Sequence, residues 1–559
     1  MDIKTLNKSI VWPNLNAIGY FRLPVWIDLS KTSGQWNTAT LDDEDLIDQG
    51  FMETGGKLLS VPSGATQFTL ELLAPSGGID YTFIDGAYTL SWTGTGTFTV
   101  SGQGVSGVTN GTNSVAFTID TSAGNGKVNL ALAVSSLSLS GSDILDPPYF
   151  TVIKDSLQTL YDAGQRFLPE FIAEYSPFGG LRFMDWMGIN GGHAEDWADR
   201  SLREHQFYRS VAFTDVVYAT FAGPAYNPGV PIEVQFDACE ATDCQAYFNI
   251  PARASDDWLT GFFSYLLSSG RWQRVSFLEW GNEWWNFGFT NINWARRGAI
   301  VEWGTGYTEG DPVGDMTAYG LTDNDPHNWI GKRLTEIVTL GRSILGGKMP
   351  KMVVGCGTNQ SVYVPQTLEA PTWLANDPAN YIAPHTMVDA LAVAPYYGNS
   401  EIADNAGALN TALNTSEATF VAELTTLLDA AVTSKVSSVV DYVQLAATYG
   451  LDLHSYEGFQ NHVDASQGQG TALYDGNEPR ADFLDALYAF YGSAENAALQ
   501  QRMLQECHDA GMKILCPFYY IGRWSKFGGW GMKEDYNTAT PGSLACLAFN
   551  SNTPRDFIL

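Results

Sequence analysis

The chain has 559 residues, more than a single hydrophobic core usually organises. Its 45% apolar and 16% charged residues exclude a disordered chain, and no run of 18 apolar residues reads as a membrane span. Thirty Lys and Arg against 61 Asp and Glu give a net charge of −31, a field that repels nucleic acid and anionic membrane and suits a neutral substrate.

The first 20 residues lack a basic stretch followed by an apolar one, so no secretory signal is expected there. That leads to a cytosolic or virion-associated protein, or to an extracellular one whose leader has been removed. Residues 58–126 contain no Lys or Arg and are rich in Gly, Ser and Thr. Tyr88, Leu90 and Trp92 alternate with small polar residues, as do Phe98 and Val100, then Val115, Phe117 and Ile119, then Val128 to Val134. Such alternation between Gly and Asn turns predicts half-buried antiparallel strands. A small β-sandwich over 57–147 follows, ended by Asp146-Pro147-Pro148.

Beyond it the texture changes. Residues 167–176 read as helix and 181–186 as an apolar run, with strands at 244–251 and 275–281 flanking a helix at 256–269. A long helix over 329–345 precedes strands at 351–357 and 389–398. Residues 416–449 form a helix with Thr415 or Ser416 as N-cap, stopped by Gly450. A strand at 451–458, a helix over about 480–510 and a last strand at 513–520 complete the series. Alternating strands and helices predict a parallel sheet. Seven strands lie after residue 180, and NAIGYF at 16–21 supplies an eighth. The expected architecture is therefore α/β, a (β/α)8 TIM barrel whose first strand and lead-in span 1–56. The β-sandwich is inserted at 57–147, and the rest of the barrel occupies 148–559.

The six Cys are too sparse for a disulfide scaffold and read as packed thiols, although Cys239 with Cys244 and Cys507 with Cys516 are near enough in sequence to bridge. No Walker loop, His pair or Cys cluster is present, so neither cofactor nor metal is expected.

A barrel of this kind builds its site at the C-terminal ends of its strands. Strand 275–281 runs into Asn282-Glu283-Trp284-Trp285, and strand 451–456 ends in Tyr456-Glu457-Gly458. Two carboxylates at one mouth, bracketed by aromatics, match the needs of glycosidic-bond hydrolysis. One protonates the leaving oxygen and the other attacks the anomeric carbon or activates water. Carboxyls ~5 Å apart predict retention and ~6.5–9.5 Å inversion.

WGNEWWN at 280–286 resembles the strand-four Asn-Glu motif of the clan-A retaining glycoside hydrolases, and SYEGF at 455–459 resembles their strand-seven nucleophile. FLPEFIAEYSPFGGLRFMDWMGING, YFNIPARASDD and SKFGGWGMKE resemble segments of large, mostly uncharacterised bacterial and phage proteins with this barrel. The resemblance implies Glu283 as general acid/base, Glu457 as nucleophile and Asn282 on the substrate 2-hydroxyl. It implies Tyr396 or Tyr397 as hydrogen-bond donor to Glu457, with Arg182 favouring the ionised nucleophile by charge. Where such enzymes carry Asn-Glu-Pro, Trp284 stands here.

Trp186, Trp284, Trp285, Trp524 and Trp530 all follow barrel strands, and indole faces stack on the C–H faces of sugars. Trp524 and Trp530 both qualify for the position under the reacting sugar. Trp258 and Trp294 read as core. Glu279 reads as a buried hydrogen-bonding group, His454 as packing, and the loop His193, Glu195, Asp196, Asp199 as solvated. The expected activity is retaining hydrolysis of a β-linked polysaccharide or oligosaccharide. The alternative is a non-catalytic carbohydrate-binding or phage tail-type protein on the same barrel, with assembly partners if virion-associated.

Overall fold

The computed structural model describes residues 9–553 apart from 33–35, 54, 75–78, 95, 125–127, 136–149, 191–193, 209–228, 399, 462–469 and 527. The Asp146-Pro147-Pro148 boundary and His193 lie outside the described residues.

Two antiparallel sheets come first. One orders β1 (Gln67–Leu73), β6 (Leu130–Ser135) and β3 (Thr97–Ser101); the other orders β4 (Val105–Asn110), β5 (Ser114–Ile119), β2 (Gly86–Trp92) and β7 (Phe150–Lys154). Alternate residues of both sheets share one apolar cluster, with Phe68, Leu70, Phe98 and Leu132 from the first and Tyr88, Leu90, Phe117 and Val152 from the second. Strand β7 pairs with β2 from Tyr88–Lys154 to Trp92–Phe150, beyond the 147 at which the sequence pattern stops. Trp36 and Phe207 join the same cluster from outside that span.

The larger part is a curled, six-stranded parallel sheet with helices between its strands. Its order follows the chain: β8 (Gly180–Arg182), β9 (Gln245–Ile250), β10 (Val275–Trp280), β11 (Lys351–Cys356), β12 (Ala390–Val393) and β13 (Asp452–Ser455). Single parallel bridges continue the order from both edges: His454 to Ile514, Val11 to Leu515, and Asn14 to Arg182. The segment expected as a strand at 16–21 is therefore not the paired one; residues 11–15 are. Trp12 N–H donates to Leu515 O, Asn14 N–H to Pro517 O, and Leu15 N–H to Arg182 O. Pro13 hid this from the sequence pattern, yet its place in the ladder uses only its carbonyl, which accepts Arg182 N–H.

Alternation divides each strand between two cores. Ala246, Phe248, Leu278 and Leu391 pack toward the helices. Trp12, Tyr247, Phe277, Val353, Ala392 and Tyr456 form a second cluster inside the curl, where the alanines of β12 leave room for the larger rings.

Local signals set the helix ends. The helix Asp256–Ser269 starts at Ser255, whose side chain accepts Trp258 N–H, and stops at Gly270 with φ 76°. Ser416 caps Glu417–Thr448 in the same way. The single helix expected at 480–510 is two, Ala481–Tyr491 and Ala494–Asp509, because Ser493 after Gly492 caps a new start at Asn496 N–H. All six cysteines are buried free thiols. Among the described residues no helix is long and apolar enough to cross a membrane.

Candidate active site

At the C-terminal ends of the parallel strands, Arg182 is the hub. It ends β8, is 0% exposed, and points inside the curl. Its Nε and Nη2 both donate to Glu279 Oε2, at 3.1 and 2.7 Å. Nη1 donates to Asn14 Oδ1 at 2.8 Å and Glu457 Oε1 at 3.1 Å, and Nη2 also reaches Asn282 Oδ1 at 2.9 Å. The five N–H groups of the guanidinium are all engaged. Tyr247 and Tyr456 sandwich it at 5.3 Å each.

Glu457 follows β13 and is 4% exposed. Arg182 holds one oxygen and Tyr396 donates its hydroxyl to the other at 3.0 Å. Glu283 follows β10, 8% exposed, with φ 46°, a left-handed conformation that non-glycine residues seldom adopt outside functional turns. Its Oε1 accepts the Tyr456 hydroxyl at 3.1 Å and its Oε2 accepts Asn286 Nδ2 at 2.9 Å.

Burial raises both carboxyls above the ordinary range, and the charge of Glu283 raises Glu457 further. Two buried carboxyls in one another's field favour a single negative charge. Arg182 and Tyr396 both act on Glu457 in the opposite direction to burial, favouring its ionised form. Glu283 accepts hydrogen bonds only from neutral donors, Tyr456 and Asn286.

The eleven residues singled out from sequence divide. Arg182, Asn282, Glu283, Tyr396 and Glu457 come together, and Trp285 joins them by donating its indole N–H to Tyr456 Oη at 3.2 Å. Trp530 reaches the group through Phe518, whose ring lies edge-on to both Trp530 and Tyr396 at 6.1 Å. Trp524 turns the other way, with its N–H on Gly531 O and its ring on Tyr491. Three expectations are corrected. Trp186 is 0% exposed, donates to Asn16 O and packs among Trp26, Phe171 and Phe183, so it offers no face to a sugar. Trp284 is buried on Trp280 with its N–H on Trp280 O. Tyr397 is 1% exposed in the helix-facing core, since neighbours on a strand point to opposite faces.

His454 packs edge-on against Phe277, and burial lowers its pKa to about 3. Asp196 and Asp199 cap their own short turn, and Glu195 pairs with Arg253 at 3.6 Å. Among the described residues no cluster could hold a metal ion.

Several residues here went unnoticed in the sequence. Asn14 ties Arg182 to the carbonyls of Tyr456 and Pro517. Asn249 donates to Glu279, Asn190 accepts from Asn282, and Asp185 accepts the Tyr519 hydroxyl. Asn286, three residues after Glu283, was the one a spacing argument could have found.

No family model and no curated protein matches the chain. Solved structures do. The chain is similar to an α-L-arabinofuranosidase from Thermotoga maritima at 12% identity and TM-score 0.33, over 62% of this chain and 56% of that one. It thus spans about half that protein's length. A fungal β-1,4-galactanase is similar at 12% identity and TM-score 0.34, over 70% of this chain and 96% of that one. CbXyn10B is similar at 9% identity and TM-score 0.29, over 68% and 90%.

Proposed function

We propose that the chain is a retaining β-glycoside hydrolase acting on a polysaccharide, built on a closed eight-stranded (β/α)8 barrel with an inserted β-sandwich domain. The observation that carries this reading is the contrast between two buried carboxyls at one mouth. Arg182 and Tyr396 favour the anion on Glu457, while burial outweighs the neutral donors Tyr456 and Asn286 and favours the proton on Glu283.

In the first step Glu457 Oε2 attacks the anomeric carbon as Glu283 gives its proton to the departing glycosidic oxygen. Glu457 becomes an ester and its charge is lost. That removes the field raising Glu283, which now takes a proton from water as the water attacks the same carbon. Glu457 leaves with its electron pair, and the configuration is retained. Asn282, oriented by Arg182 and Asn190, has a second Nδ2–H for the 2-hydroxyl, a contact that strengthens in the transition state.

The test is reducing-sugar release from a panel of polysaccharides by wild type, Glu283→Gln and Glu457→Gln. Release abolished by both changes supports the reading. Release surviving either change moves catalysis elsewhere, and glycan binding without release makes this a recognition protein.

A further inference from the structure

A single hydroxyl joins the turn that follows β10 to the end of β13. Tyr456 is 0% exposed and has two partners on its Oη, both from that turn: the Trp285 indole N–H at 3.2 Å and Glu283 Oε1 at 3.1 Å. The Arg182 guanidinium lies 5.3 Å from the Tyr456 ring and holds it. The Trp285 indole is seated against Gly357, where a Cβ would stand 2.8 Å from its Cδ2.

The direction of each bond follows from what its atoms can give. An indole N–H only donates, so Tyr456 accepts from Trp285. The hydroxyl then has one proton and, among the described residues, one acceptor for it, Glu283 Oε1. Turning that proton away would leave a buried donor unsatisfied. Asn286 is fixed in the same manner. Its Oδ1 accepts Gly288 N–H at 3.0 Å, which leaves its Nδ2 to donate to Glu283 Oε2 at 2.9 Å. Each oxygen of Glu283 therefore receives a proton from the side chain that holds it, and neither side chain offers an acceptor in return. Without the indole, the Tyr456 hydroxyl would be free to turn, accept the proton of Glu283 and keep it from a ligand.

We propose that Trp285 is a positioning residue for Glu283. By filling the acceptor side of the Tyr456 hydroxyl it makes Tyr456 a donor, and so leaves the proton of Glu283 to a bound glycosidic oxygen. The inference rests on Glu283 being the acid of the proposed hydrolysis, and it adds a residue that acts only through Tyr456. The charged and titratable groups around Glu283 among the described residues are Arg182 on β8, Glu279 on β10, Tyr396 after β12, and Tyr456 and Glu457 after β13. Trp285→Phe alters none of them, so a change in the proton affinity of Glu283 reads the hydrogen bonds.

The test is infrared difference spectroscopy without substrate, from pH 4 to 9, on wild type, Trp285→Phe, Tyr456→Phe and Trp284→Phe. Each is read against the same chain carrying Glu283→Gln, which isolates the carboxylic C=O band of Glu283. In Tyr456→Phe the band should move to higher wavenumber, and the ionisation constant of Glu283 should fall about tenfold. Trp285→Phe should move both in the same directions, the constant by about threefold. Trp284→Phe, whose indole serves Trp280 O, should match wild type. In reducing-sugar release from the polysaccharide panel, Trp285→Phe should lower kcat about tenfold with KM within about twofold, since it impairs the acid and not the binding. An unmoved band in Trp285→Phe, an equal shift in Trp284→Phe, or no carboxylic band of Glu283 down to pH 4 overturns the proposal. So does a raised KM at unchanged kcat, which makes Trp285 a stacking platform for sugar. Bands that move as stated in a protein that cleaves no polysaccharide keep the hydrogen-bond chain and remove the hydrolase.

Discussion

Arg182 Nη1 stands 3.1 Å from Glu457 Oε1, and the rest of that guanidinium is shared among Glu279, Asn14 and Asn282. Glu457 is thus held by an arginine whose position three other side chains fix. Lysine supplies one point charge in place of the planar fork. Arg182→Lys should lower kcat about 100-fold or more, the scale of losing an electrostatic group at a reacting centre. Arg182→Met, which leaves two buried carboxylates unpaired, should destabilise the fold by about 3–5 kcal/mol in urea denaturation at pH 7. A fully stable and active Arg182→Met would mean that the cluster is ornamental.

How much of this was legible depends on where the partners lie in the chain. Glu283 and Glu457 stood out because each follows an apolar run directly, so the strand end and the chemistry are written in one segment. Arg182 could be suspected but not aimed. Its strand is only Gly180–Arg182, inside a longer apolar run that hides the alternation. Its direction is set by Asn14, Glu279 and Glu457, far away in sequence. Asn14 was invisible for the same reason, since its bonds to Tyr456 and Pro517 close loops of 442 and 503 residues. The Trp186 expectation failed because position after a strand says nothing about whether the indole N–H already has a carbonyl, and Asn16 O provides one.

Tyr396→Phe tests the second hold on Glu457. Its hydroxyl bonds to the charged form and so favours it. Losing a hydrogen bond to a charged group costs about 1.5–3 kcal/mol, so kcat/KM should fall about ten- to hundredfold. As the proposed nucleophile Glu457 works ionised, and its pKa rises further without the donor. The acid limb of the kcat/KM profile should therefore move to higher pH. Tyr397→Phe, in the helix-facing core, should leave that limb where it is. Equal effects of the two changes would detach Tyr396 from Glu457.

Glu279 takes three N–H groups on Oε2 alone, two from Arg182 and one from Asn249 at 3.0 Å. Its charge competes with Glu457 for Arg182 and helps to hold the pKa of Glu283 up. Glu279→Gln removes that charge. Arg182 then favours ionised Glu457 more strongly, and Glu283 gives up its proton at lower pH. Both limbs of the bell-shaped profile should shift toward acid, with the arms measured as kcat/KM from pH 4 to 9. A stationary bell with a lower plateau would leave Glu279 as an anchor for Arg182 and nothing more.

The buried acid should also be visible in stability. Burial raises Glu283 above its ordinary value of 4.5, so the folded chain keeps this proton to higher pH than the unfolded chain does. Below pH 4.5 the carboxyl is protonated in both states and costs little. As pH climbs from 4.5 to the folded value, the unfolded state releases the proton first and gains relative stability; above that value the full penalty remains. Glutamine does not titrate and keeps an acceptor for the Tyr456 hydroxyl. Glu283→Gln should therefore raise Tm by an amount that is smallest at pH 4 and grows toward pH 8, read by calorimetry at pH 4, 6 and 8. This is the expected trade of stability for a functional group held in an unfavourable place. A Tm difference that stays constant or shrinks with rising pH would show that Glu283 is not held protonated by burial, and the acid would have to be sought elsewhere in the mouth.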